Sequence, residues 1–198
     1  MIARRTALLL PVALAACVGD DAPVRTSFPD LHYDYLTPLR LNVGTVEVAD
    51  GPPGPLDAQN PAPPGAALRR MAQDRIGAGG STGRAVFTID TATITRGGPG
   101  LSGIMAVHLD ILGPESGRVA FAEARVFRGT ALPRRGDLRG TLYDLTRAMM
   151  DDMNVELEFQ VRRNLRDWLQ EATTAPAPAP VQQQDLSAPG RAGPPPES

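Results

Sequence analysis

The sequence has no lysine, one cysteine, two histidines and one tryptophan among its 198 residues. A single cysteine excludes an internal disulfide and a thiolate zinc site. The missing lysine makes all 20 basic residues arginine, and with 20 glycines and 20 prolines this reflects a GC-rich coding bias more than arginine-specific binding. The 22 acidic residues bring the formal charge to −2, so the chain has no electrostatic footprint for nucleic acid. No apolar run reaches the ~18–20 residues that a spanning helix needs. A chain of this length can nevertheless stand on one apolar core.

The N-terminus is more informative. Met1-Ile2-Ala3-Arg4-Arg5 is a positive n-region, residues 7–13 are apolar, and small residues then lead to Leu14-Ala15-Ala16-Cys17. This run resembles the lipobox of bacterial lipoproteins, and it holds the only cysteine. The resemblance implies cleavage before Cys17, a diacyl thioether on its sulfur and a third acyl chain (palmitate in type) on its new amine. Losing residues 1–16 removes Arg4 and Arg5 and leaves 182 residues with 18 arginines against 22 acids, a formal charge of −4. Arg4-Arg5 raises twin-arginine export, but two arginines are ordinary in an n-region and favour the general secretory route. Val18 follows Cys17, where Asp commonly marks inner-membrane retention. The resemblance therefore implies an outer-membrane, periplasm-facing lipoprotein.

Residues 17–38 read as a tether of irregular, Asp- and Pro-containing sequence. Residues 18–38 would span at most about 70–75 Å if fully extended. Leu31-His32-Tyr33-Asp34-Tyr35-Leu36 is its aromatic part, either a docking strand for a partner or a lead-in packed on the domain edge. Residues 39–49 form a first strand with Leu39, Leu41 and Val43 on one face, and a phase shift at Gly44-Thr45 predicts a bulge. The proline-rich stretch 50–64 is a loop. A short helix follows at 66–76, with Leu68, Met71, Ala72 and Ile76 inward and Arg69, Arg70 and Arg75 directed away. The glycines of 77–83 read as its C-cap. Gly79-Gly80-Ser81-Thr82-Gly83 matches the nucleophile-elbow pattern formally, but a strand and not a helix follows the serine. Arg84 and the missing helix likewise exclude a phosphate loop.

Three strands are predicted next, over 84–95, 101–112 and 118–128, as an antiparallel meander. In the first, Phe87 and Ile89 fall on one side and Val86 and Ile94 on the other. Met105, Val107, Leu109 and Ile111 alternate inward in the second. The third has a small-residue face, Ala120, Ala122, Ala124 and Val126, suited to a close helix. Its other face, with Val119, Phe121, Glu123, Arg125 and Phe127, reads as half exposed. A helix over 142–169 carries one apolar stripe from Leu142 to Trp168, with a capping box at Thr141 and Asp144. At ~1.5 Å per residue it would be about 42 Å long and would project beyond the sheet. Val161, Leu165 and Trp168 on that end, with Tyr33 and Tyr35 of the tether, are the predicted partner contacts. The Pro-, Ala- and Gln-rich stretch 171–198 is expected to be disordered.

No set of residues supplies a nucleophile, a base and a group to orient it. His32 lies in the tether, and His108 lies on the polar face of a strand beside Asp110, where a solvated or hydrogen-bonded role is expected. Asp151, Asp152, Glu156 and Glu158 read as a solvated helix face in which Glu158 pairs with Arg162. Met149, Met150 and Met153 read as core filler. The sequence therefore predicts an α/β (α+β) domain over 39–170, with a four-stranded mixed sheet in the order β-α-β-β-β-α and both helices on one face. Neither a cofactor nor a metal is expected. The element order is similar to that of lipopolysaccharide-assembly lipoproteins and of auxiliary lipoproteins of lipid-transport ABC systems. That likeness implies a non-catalytic accessory or scaffold in envelope assembly with a protein partner. A lipid or lipopolysaccharide carrier and a cell-wall-associated regulator are the alternatives. A carrier would need an apolar groove or an arginine cluster between the long helix and the sheet. The nearest approach to a cluster is Arg84, Arg118, Arg125 and Arg128.

Overall fold

The computed structural model describes residues 25–113, 115–132 and 137–170. The signal segment, Cys17 and the 171–198 tail lie outside the described residues.

Two short strands, β1 (Leu39–Leu41) and β2 (Thr45–Ala49), come first. A loop with a 3-10 turn at Asp57–Gln59 leads to helix α1 (Pro64–Arg75). Strand β3 (Ile76–Ala78) follows without a break. The meander is β4 (Arg84–Gly97), β5 (Gly100–Leu112) and β6 (Arg118–Ala131). Helix α2 (Leu138–Asn164) and a 3-10 turn at Arg166–Trp168 close the domain. The main sheet runs β2-β4-β5-β6, with β2 parallel to β4 and the other neighbours antiparallel, while β1 and β3 form a separate parallel pair. The expected α+β fold, with a four-stranded mixed sheet under two helices, is what the chain forms.

Local chemistry explains the elements. Pro64 starts α1, where a missing N–H costs nothing. Gly98 and Pro99 make the two-residue β4–β5 turn, and Gly98 takes the positive φ (54°) that its first central position requires. Ala122, Ala124 and Val126 of β6 are buried beneath α2, as their small size allows. One core joins them to Phe87, Met105, Leu109, Met149 and Leu157.

Several expectations need correction. The predicted first strand is two strands in two sheets. Gly44 is not a bulge in a continuous ladder but the crossing point, where its N–H donates to the carbonyls of Thr82 and Gly83. The 77–83 stretch does not cap α1: Ile76 turns extended and Ile76–Ala78 pairs with β1. A register shift between Ile89 and Thr91 makes Asp90 a bulge residue. Ile94 is thereby returned to the buried face beside Phe87 and Ile89. Thr141 sits inside α2 rather than at its cap, with its hydroxyl donating to the Asp137 carbonyl, and Asp144 pairs with Arg25.

The C-terminal end of α2 does not project. Asn42 N–H donates to the Trp168 carbonyl and Gln170 N–H to the Arg40 carbonyl, so the β1–β3 pair closes over it. Part of the predicted tether is docked as well. The Arg25 guanidinium bonds both carboxylate oxygens of Asp144 at 2.9 and 3.1 Å, and the Tyr143 hydroxyl donates to the Pro29 carbonyl at 2.9 Å.

Arg75, expected to point away from the core, is 1% exposed. It donates to the Asn154 carbonyl (3.2 Å) and side-chain oxygen (2.9 Å), to the Thr37 carbonyl (3.2 Å) and to Glu158 (2.6 Å). This one side chain ties α1 to α2 and to the lead-in segment.

The two sheets are clasped at Gly80, whose N–H donates to the Val43 carbonyl at 3.0 Å. A Cβ at that position would stand 2.7 Å from the Asn42 carbonyl carbon and 2.8 Å from the Val43 nitrogen. Those are backbone atoms and cannot swing aside. Gly80→Ala is expected to cost about 1–3 kcal/mol of stability, the usual range for overpacking. Chemical denaturation followed by circular dichroism measures it, and an unchanged midpoint would contradict this close approach.

Candidate interaction surface

The helices cover one face of the main sheet, and the other face is open. Register places its side chains in cross-strand pairs: Ile104 opposite Phe127, Ala106 opposite Arg125, His108 opposite Glu123 and Asp110 opposite Phe121. Phe127 is 67% exposed and Phe121 49%, and Val119 and Ile104 are exposed beside them. They form two patches, Ile104 with Phe127 and Val119 with Phe121, six residues apart along β6. Exposed apolar patches on one face mark a contact surface more than isolated side chains do.

Between the two patches runs a charged chain. His108 Nδ1 lies 2.8 Å from an Asp90 carboxylate oxygen, and its Nε2 lies 3.7 Å from Asp110. Because a carboxylate only accepts, Nδ1 is the protonated nitrogen. Arg118 reaches Asp110 at 3.5 Å, and its guanidinium sits 4.9 Å above the Phe121 ring. Asp90 follows the inward Ile89 and so lies on the open face, diagonal to His108, whose direct partner is Thr88. His108 is therefore held by hydrogen bonding, as its strand position suggested. Among the described residues, no three His, Cys, Asp or Glu side chains are grouped to hold a metal ion.

The predicted contact residues separate sharply. Tyr35 is 69% exposed, but Tyr33 is 3% exposed, with its N–H donating to Asp74 and burial raising its hydroxyl pKa. Val161 and Leu165 are fully buried, and Trp168 is half-buried against the core. Tyr33, Val161 and Leu165 thus build the fold and are unavailable to a partner. The aromatic lead-in packs as the second of its two readings held, with Tyr35 its outward member. The exposed Phe121 and Phe127 were signalled only by the half-exposed alternation of β6, and Ile104 of β5 had no such signal.

The continuous apolar groove that a carrier would need is not found among the described residues. Met105, Met149, Met153 and Leu157 fill the space between α2 and the sheet, all fully buried. The groove left beside the later turns of α2 is lined by Arg125, Glu156, Gln160 and Arg163 as well as by Val107 and Ala124. Of Arg84, Arg118, Arg125 and Arg128, three face a carboxylate, Glu47 for Arg84, Asp110 for Arg118 and Asp152 for Arg128, and only Arg125 has no acidic partner among the described residues. Two of the four acids on the helix face are paired with arginine, and Glu156 accepts from the Gln160 amide. Glu158 meets both Arg75 and Arg162, and Asp152 meets Arg128. No described helix is long and apolar enough to cross a membrane.

No protein-family model and no curated protein matches the sequence. Among solved structures, the chain is similar to protein XCC0632 from Xanthomonas campestris, whose crystal structure carries the family description DUF330. The identity is 10%, the match covers 64% of this chain and 91% of that one, and the TM-score is 0.35.

Proposed function

We propose that this chain is a lipid-anchored, non-catalytic accessory protein of the bacterial envelope, acting by protein contact through the open face of its sheet. The observation that carries the reading is the uncovered apolar pair Ile104 and Phe127, with a second exposed ring at Phe121 and charged side chains between them. A surface of this kind suits a partner that buries aromatic side chains at the centre of an interface.

The lipobox supplies the anchor in this reading, and the docked lead-in sets its reach. Arg25 is fixed to the first turns of α2 by Asp137 and Asp144, and Cys17 lies eight residues before it. Eight residues extend at most about 26–29 Å, so the domain would ride close to the membrane rather than on a long tether. Gln170 leaves from the other end of α2, beside Arg40 and Gly79. The 171–198 tail would then depart about 40 Å farther along the helix axis.

The test is a photocrosslinking residue at Ile104 of the intact protein in its own membranes, with Phe159 on the exposed side of α2 as the control. A discrete adduct with an outer-membrane protein from Ile104, absent from Phe159 and lost with Cys17→Ala, is the expected result. Adducts with lipid alone would replace this reading with the carrier one. Equal labelling from both positions would remove the open face from the account.

A further inference from the structure

Of the two edges of the main sheet, β2 has five residues and runs into the proline-rich loop, which blunts it. The β6 edge is different: 14 residues, no proline, and no strand paired with it among the described residues. A long free edge offers a row of unpaired backbone groups to another strand.

Its outward side chains are self-complementary. Reading along the open face, Phe121, Glu123, Arg125 and Phe127 are arranged symmetrically about Ala124, with opposite charges inside and aromatic rings outside. Arg118 and Arg128 at the flanks are ion-paired within the chain, but among the described residues neither Glu123 nor Arg125 has an oppositely charged partner. Both are exposed.

We propose that two copies of this chain join β6 to β6, antiparallel about Ala124, so that the two four-stranded sheets become one of eight strands. In that register Glu123 of each copy faces Arg125 of the other, and Phe121 faces Phe127. Antiparallel pairing puts directly opposed side chains on the same face, close enough for both kinds of pair to form. Moving the centre by one residue either way sets Glu123 against Glu123 or Arg125 against Arg125, which is repulsive. The charges select one register and the rings reinforce it. A two-fold axis through Ala124 also lays each α2 antiparallel beside its copy. The open face described above would become continuous across both copies.

The test is sedimentation velocity of the intact chain in detergent, with Glu123→Arg, with Arg125→Glu and with both together. The native chain should sediment as two copies. Each single change should weaken the association at least about tenfold by opposing like charges, and the double exchange should restore it. A single-copy native chain would overturn the proposal. So would a pair that neither single change weakens, since the anchors or another surface would then hold it, or a double exchange that fails to rescue. A Phe121→Cys/Phe127→Cys chain gives an independent check with a short thiol-to-thiol linker. The two positions lie roughly 20 Å apart along one strand, too far for a link within a copy. Linked pairs of chains are expected, and their absence would also overturn the register.

Discussion

Replacing Arg75 with alanine is expected to destabilise the domain by about 3 kcal/mol, at the low end of what breaking a buried ion pair costs. The low end applies because Glu158 would keep Arg162 at 2.9 Å. The Asn154 side-chain oxygen and the carbonyls of Asn154 and Thr37 would each lose a donor. Thermal unfolding should fall by roughly 6–12 °C for a domain of this size. Arg75→Met should cost less, because it preserves the packed stem and removes a buried charge. Equal losses for both substitutions would mean that hydrogen bonding, and not packing of the stem, is the contribution of Arg75.

Glu158 adds a pH dependence to the same junction. Burial alone would raise its carboxyl pKa, but hydrogen bonds from Arg75 and Arg162 outweigh this and hold it below the ordinary value of 4.5. A carboxylate with a depressed folded pKa stabilises fully above its unfolded pKa and loses that stabilisation as pH falls through the folded one. The gap between the native chain and Glu158→Gln should therefore be widest near neutrality and shrink below about pH 4.5. A gap that stays constant to pH 3 would contradict the ion pair.

Phe87→Ala is expected to cost about 3–5 kcal/mol, the range for emptying a buried aromatic site. Phe87 is fully buried on β4, paired in register with Leu109 of β5 and Val48 of β2. Among the described residues, strand β4 is the only one flanked by a parallel and an antiparallel neighbour, and α1 packs on it. Its backbone is held on both sides and cannot collapse into the space. Guanidinium unfolding should show the loss in midpoint with little change in slope. A loss under 1 kcal/mol would mean that the sheet relaxes around the site.

What was legible in the sequence is what short-range periodicity encodes. The alternation of β5 and β6 and the apolar stripe of α2 fixed their buried faces correctly. The misses share a different cause. Leu39 to Val48 is one apolar stretch by pattern, yet its halves pair with strands roughly 40 residues later, and only Gly44 hinted at the division. Ile76-Gly77-Ala78 is too short and glycine-containing to announce a strand. Arg75 is buried because Glu158 lies 83 positions along the chain, which no local window contains. Asp90 shifts the alternation by one residue, and a bulge has no periodic signature.

The contact surface was missed for a related reason. In the sequence, aromatic residues stand out at Tyr33 and Tyr35 and at Trp168. Clustering does not separate a ring that packs from one that is displayed. Phe121 and Phe127 are displayed because the alternating partners of β6 are needed under α2, and both helices lie on that side. Exposure followed from topology, which only the fold provided.

The anchor is the premise on which the proposed function stands. Its most direct test is intact-mass and N-terminal peptide analysis of the protein extracted from its own membranes. The account predicts a chain beginning at Cys17, carrying a diacyl thioether on sulfur and an acyl group on the amine. A chain that begins elsewhere, or one that retains an unmodified Cys17 thiol, would contradict it.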